Sequence, residues 1–189
     1  MTENDLGIDS EYQIPDELWE RIKPLLPPPR PRKKPGRPHT CDRQAMTAIF
    51  YLLRTGCQWK ALPRSLGMRS TVHDRFQEWE QAGVFDRLWQ AGVQEYDCVK
   101  GINWEWQALD GAMTKAPLGG EATGPNPTDR GKSGTKRSLL TEGNGIPIGL
   151  AVEGANPRLR GDHDMKLAEP TLKSQVIQRP DPTEEQPQN

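Results

Sequence analysis

Long apolar runs, paired cysteines and an excess of either charge are all missing from this 189-residue chain. No stretch approaches the roughly 20 apolar residues that a membrane-spanning helix needs. The opening MTENDLGIDSEYQ is acidic and lacks the basic-then-apolar order of a secretory leader. Cys41, Cys57 and Cys98 are odd in number and form no CxxC pair. That argues against a disulfide framework or a structural zinc site and for thiols in a reducing cytoplasm. Only 33% of residues are hydrophobic and mean hydropathy is −0.82. Six tryptophans nevertheless exclude a wholly disordered chain, and 18 prolines with 18 glycines predict ordered pieces joined by loops.

The formal net charge of −1 conceals strong patterning. Residues 1–29 carry −5, residues 30–75 carry +9, residues 76–113 carry −5, residues 114–140 carry +3 and residues 141–189 carry −3. A block of +9 predicts a polyanionic partner, double-stranded DNA foremost.

Along the chain, 1–13 read as a flexible polar lead. A short helix follows Pro15, with Leu18, Trp19, Ile22 and Leu25 on its apolar side, and must end before Pro27-Pro28-Pro29. The basic arm PPPRPRKKPGRP carries Arg30, Arg32, Lys33, Lys34 and Arg37 without an acid, a composition suited to a minor groove. A helix capped by Thr40 or Asp42 runs to Thr55, buries Ala45, Ile49, Leu52 and Leu53, and stops at Gly56. Trp59, Leu62 and Leu66 predict a short helix ending at Gly67. A further helix, capped by Ser70, buries Val72, Phe76 and Trp79. Helix, Gly-containing turn, helix is the helix-turn-helix pattern. It directs His73, Arg75 and Gln77 away from the core, with Arg69 and Ser70 at an N-terminus that favours phosphate. A last helix, about 85–99, completes a helical domain over 14–100.

Beyond Gly101, Trp104, Trp106, Ala108 and Asp110 alternate with period two and predict a strand with all four on one face. On such a Trp-rich face an unpaired carboxylate is costly to bury, which points to a metal ligand, whereas Asp-Gly in isolation reads as a turn. Lys136–Thr141 and Ile146–Val152 bracket a turn-rich connection and predict a β-hairpin. Lys136 and Arg137 at its start stand as charges available to a DNA backbone. A helix follows Asp164, kinked or divided at Pro170, and 178–189 form a disordered tail.

The segments WERIKPLLPPP, KPGRP, CDRQAMTAIFYLLRTGCQWKALPRSLG, TVHDRFQEWEQAGVFDRLW, INWEWQALDGAMTK and IPIGLAVEGAN together resemble the IS-five family of bacterial insertion-sequence transposases, from about Ile14 onward. The resemblance implies an α + α/β chain: a DNA-binding helical domain, then an incomplete ribonuclease-H-like unit over 101–177. It implies that Asp110 is the first of three metal-binding acids, with Mg2+ as cofactor in a complete site. The second aspartate and the glutamate would lie beyond Asn189, so the expectation is a truncated or upstream-frame product that does not cleave DNA on its own. Its implied partners are the element's terminal repeats and full-length transposase or a C-terminal frame product. The alternatives are a regulator of transposition without catalysis and an inert folded remnant. Pro157–Asp162 depart from the family pattern, which runs directly from GAN to Arg-His-Asp.

Overall fold

The computed structural model describes residues 7–28, 40–117, 119–155 and 163–180, with the side chains of 163–165 left aside. The basic arm bearing Arg30, Arg32, Lys33, Lys34 and Arg37, the Pro157–Asp162 departure and most of the expected tail therefore lie outside the described residues. The chain is mixed α and β and divides into two compact units, Met1–Leu88 and Trp89–Asn189.

The first unit is built by helices α1 (Asp16–Ile22), α2 (Asp42–Thr55) and α3 (Arg69–Gln81), with the start of α4 (Val84–Lys100). Its core gathers Ile22, Ala45, Met46, Ala48, Ile49, Leu62, Leu66, Val72, Trp79 and Val84, each nearly sealed from solvent. Helix α2 stops where expected, because Gly56 takes a left-handed conformation (φ 65°) and donates its N–H back to the Leu52 carbonyl. Its buried stripe is rotated from the expected one: Met46 and Ala48 are inside, and Leu53 is 73% exposed. Ala45, Ile49 and Leu52 had been placed correctly by spacing, but Leu53 lies one residue round from the stripe centre.

Part of the polar lead is ordered. Ser10–Tyr12 form a 3-10 turn, Ile8 packs on the core, and the Tyr12 ring meets Tyr51 of α2 edge-on at 5.4 Å. Arg43 of α2 is tied to the same region, donating to the Ile14 carbonyl and pairing with Asp16.

Between α2 and α3 the expected single helix is replaced by two 3-10 turns, Trp59–Ala61 and Arg64–Leu66. Pro63 explains the interruption: it has no N–H to give and drives Leu62 into extended backbone. The α2–α3 connection thus covers 56–68, far longer than the three or four residues of a compact helix-turn-helix. Neither expected cap is used. Helix α2 is preceded by Cys41 and α3 by Met68, neither making a side-chain cap bond, and Ser70 sits inside the first turn of α3.

The second unit centres on a four-stranded antiparallel sheet. Strand β3 (Ser133–Glu142) pairs with β1 (Gln107–Lys115) on one side and with β4 (Pro147–Gly154) on the other, while two-residue β2 (Gly124–Pro125) pairs at its start. The β3–β4 hairpin was legible in the alternation, and one register shift falls between Leu140 and Thr141. Gly134, Lys136, Ser138, Leu140 and Glu142 form the buried face of β3. Helix α5 (His163–Lys173) packs on β4 and β3 and continues through Pro170 without division. It approaches so closely that a Cβ on Gly149 would lie 2.7 Å from the Thr171 carbonyl oxygen. Val93, Ile102, Leu140 and Ile148, with Trp89, Tyr96 and Trp104 around them, make a separate small core.

Candidate nucleic-acid interface

The segment joining α2 to α3 places cations on the first unit's surface. Leu62 and Leu66 are buried and anchor the two turns, leaving Lys60, Arg64 and Arg69 exposed. Arg69 Nη1 donates to the Lys60 carbonyl at 3.0 Å, so the beginning of α3 is fastened to the first turn. Trp59 completes the brace, its ring meeting His73 edge-on at 4.9 Å and Phe76 at 5.5 Å. The first turn of α3 holds no acid and has no side-chain cap, so its backbone N–H groups and the positive helix end add to the field of the three side chains.

The residues expected to contact DNA divide on this geometry. Arg69, Ser70 and Gln77 are exposed on α3. His73 is half-buried against Trp59 and serves packing. Arg75 is drawn inward, with its side chain only 12% exposed. Its guanidinium pairs with Asp42 of α2 at 3.0 Å and Glu78 at 3.1 Å and lies over the Trp79 ring at 6.0 Å. That arrangement makes Arg75 a brace between α2 and α3, and the outward direction expected from periodicity is corrected. Lys60 and Arg64, exposed on the same connection, were not singled out by sequence reasoning. The signal was present, because residues 43–73 contain no aspartate or glutamate at all while carrying Arg43, Arg54, Lys60, Arg64 and Arg69.

In the second unit, Lys136 and Arg137 separate to opposite faces of β3. Arg137 is exposed opposite Ala112, whereas Lys136 is 5% exposed opposite Met113 and Glu153. The expectation that both cations face a backbone fails for Lys136, because the sheet's alternation turns it toward the covered side.

Asp110 lies in mid-β1, opposite Leu139, so the Asp-Gly pair is strand and not turn. Strand β1 begins at Gln107; Trp104 and Trp106 precede it, and Trp106 is 58% exposed. Asp110 itself is exposed, so the burial cost that suggested a metal ligand is absent. Its nearest same-face neighbours along the strand are Ala108 and Ala112, which offer no ligand atoms. Among the described residues, no three His, Cys, Asp or Glu side chains come together as a metal site. One exposed carboxylate does not fit the two-metal chemistry that the resemblance implies, which requires several acids from separate strands. Because Asp110 carries no buried hydrogen bonds, Asp110→Ala is expected to change unfolding free energy by less than about 0.5 kcal/mol in urea titrations.

The second unit's most constrained carboxylate is Glu142, which sequence reasoning treated as part of a turn. It is fully buried at the end of β3. Oε1 accepts from the backbone N–H groups of Asn144 (2.8 Å) and Ile146 (3.0 Å); Oε2 accepts from the Asn103 N–H (2.9 Å) and the Asn144 side-chain amide (3.2 Å). Burial pushes the carboxyl upward, but the N–H groups of Ile146, Asn103 and Asn144 outweigh it and hold the group below its ordinary range. Its role is to fix the hairpin turn and the segment leading into β1.

Residues 14–89 match the family described as "Putative transposase of IS4/5 family". Over 118 residues the chain is 39% identical to "Insertion element IS402 uncharacterized 16.2 kDa protein" of Burkholderia cepacia, covering 60% of this chain and 80% of that protein. The chain belongs to the IS4/5 transposase family. This family member is also 30% identical over 101 residues to "Uncharacterized protein y4sN" of Sinorhizobium fredii, covering 53% of its own length and 74% of the relative. A shorter likeness, 50% over 34 residues, joins it to "Putative transposase for insertion sequence element IS402" of Burkholderia cepacia, of which it covers only 16%. No solved structure matches the chain. Among the described residues, no helix is long and apolar enough to cross a membrane.

Proposed function

We propose that this IS4/5-family chain binds double-stranded DNA at the ends of its insertion element through the α2–α3 connection and the start of α3. The observation that carries the reading is the exposed Lys60, Arg64 and Arg69 on an acid-free segment whose backbone is braced from within. Long flexible cations lose less on binding when the backbone beneath them is already fixed, and here buried Leu62, Leu66 and Trp79 fix it. Ser70 and Gln77, exposed on the same helix, are the polar groups suited to reading base edges. In this reading the two-turn connection serves as the turn of an elongated helix-turn-helix, and the cations of residues 30–37 would add phosphate contacts.

A ribonuclease-H-like second unit agrees with the antiparallel β1–β3–β4 arrangement followed by α5. No cleavage step is assigned to it, because the acids that would hold magnesium beside Asp110 are not brought together among the described residues. The proposal is tested by gel-shift titration of the full chain against a terminal-repeat duplex and a scrambled duplex of equal length. Binding of both at low salt, with preference for the repeat, is expected. Failure to retard either duplex at about 50 mM salt, where phosphate contacts are strongest, overturns it.

A further inference from the structure

The helix period sets the outward stripe of α3. Val72 and Trp79 are buried on one side. About 180° round from them, at roughly 3.6 residues per turn, stand Ser70, Asp74, Gln77 and Gln81. All four are exposed. Three are uncharged; the fourth is a carboxylate, the first acid after the acid-free run of residues 43–73. Among the described residues Asp74 makes no hydrogen bond and no ion pair. Neighbouring Arg75 is taken by Asp42 and Glu78. The positions three and four residues away, Ser70, Thr71, Gln77 and Glu78, offer no cation to pair with it.

An unpaired acid is out of place on a surface that gathers Lys60, Arg64 and Arg69 for a phosphate backbone. It stands about 7.5 Å along the helix axis from Arg69, within reach of the same duplex. Set against phosphate it repels; set against a base edge it selects. The major-groove edges differ in what they offer it. Guanine shows two acceptors there, thymine an acceptor and a methyl group, and adenine a donor beside the N7 acceptor. Cytosine shows its N4 amino donor alone, so a carboxylate accepts from it without meeting a lone pair. Resting on the DNA-binding reading above, we infer that Asp74 is the base-selecting residue of this interface, its carboxylate accepting an N4 hydrogen of a cytosine in the major groove. Its charge also disfavours wrong registers, because guanine O6, thymine O4 and phosphate bring no donor to meet it.

Selection of bound duplexes from a randomised library by the full chain tests the inference. Wild type is expected to enrich a motif with one position fixed as cytosine. Asp74→Ala keeps the rest of the motif and loses preference at that position, where wild type discriminates by about tenfold in gel-shift titration. Asp74→Asn moves the position to adenine, because an amide offers a donor to N7 and an acceptor to N6. Glu80→Ala removes an equal charge from another exposed position of the same helix and keeps the wild-type motif. Asp74→Ala should unfold at the wild-type urea midpoint, since no partner among the described residues is lost. A wild-type motif without a fixed cytosine, an Asp74→Ala motif identical to wild type, or equal changes in Asp74→Ala and Glu80→Ala overturns the assignment and leaves DNA binding standing. A wild-type chain that retains no duplex at about 50 mM salt overturns the DNA-binding reading itself, and this assignment with it.

Discussion

Glu142→Ala is expected to cost the second unit on the order of 3–5 kcal/mol, the cost of stranding buried polar partners. The substitution removes an acceptor from three backbone N–H groups, those of Asn103, Asn144 and Ile146, and water cannot readily replace it at a fully buried position. Glu142→Gln is a sharper probe, because it nearly preserves volume while placing an NH2 group among donors; it too should destabilise. The pH dependence follows from the lowered carboxyl. In the unfolded chain Glu titrates near 4.3, and in the folded chain Glu142 titrates below its ordinary range. Its contribution is therefore complete above the unfolded value and is lost as pH falls through the folded one. Urea titrations of wild type and Glu142→Gln between pH 7 and pH 3 should converge toward the acid end. Parallel curves across that interval would refute the assignment.

The largest expected effect on binding comes from Lys60→Ala/Arg64→Ala/Arg69→Ala. If each side chain neutralises one phosphate, the slope of log affinity against log salt flattens by about 0.9 per contact. Affinity for any duplex should fall on the order of a hundredfold at 50 mM salt, with sequence preference little changed, as expected for backbone contacts. Arg75→Ala is the contrasting case. Its guanidinium is held by Asp42 and Glu78, so its loss should lower the stability of the first unit and leave the salt slope intact. A flattened slope in Arg75→Ala, or an unchanged one in the triple variant, would move the interface elsewhere.

The contrast between Arg75 and Arg69 shows where local patterning stops being informative. Spacing along α3 correctly buries Val72 and Trp79. It cannot place Arg75, whose fate depends on Asp42, a partner from another helix. The same limit applies to β3. Alternation reveals that Lys136 and Arg137 point oppositely, but which of them is covered depends on what packs against the sheet, α5 included. Chain punctuation is more legible, since its causes are local. Gly56 ends α2 through its own backbone conformation, and the β3–β4 turn lies where its Glu-Gly-Asn-Gly composition predicts. Pro63 was equally visible, and its power to split one expected helix into two turns is a local effect that apolar spacing conceals. For Asp110, residue spacing placed the strand but overstated its burial, because Trp104 and Trp106 lie before the strand begins.

The bonds of Glu142 also prescribe an order of assembly. Two of its backbone donors, Asn144 and Ile146, lie two and four residues away, so closing that loop requires little chain entropy. The third, Asn103, lies 39 residues away. The carboxylate is thus engaged by the nascent hairpin first, and the distant segment arrives at an acceptor already held in place. The strand carrying Asp110 is therefore expected to join after the hairpin has formed, with low φ-values for substitutions in β1 and higher ones in the β3–β4 turn.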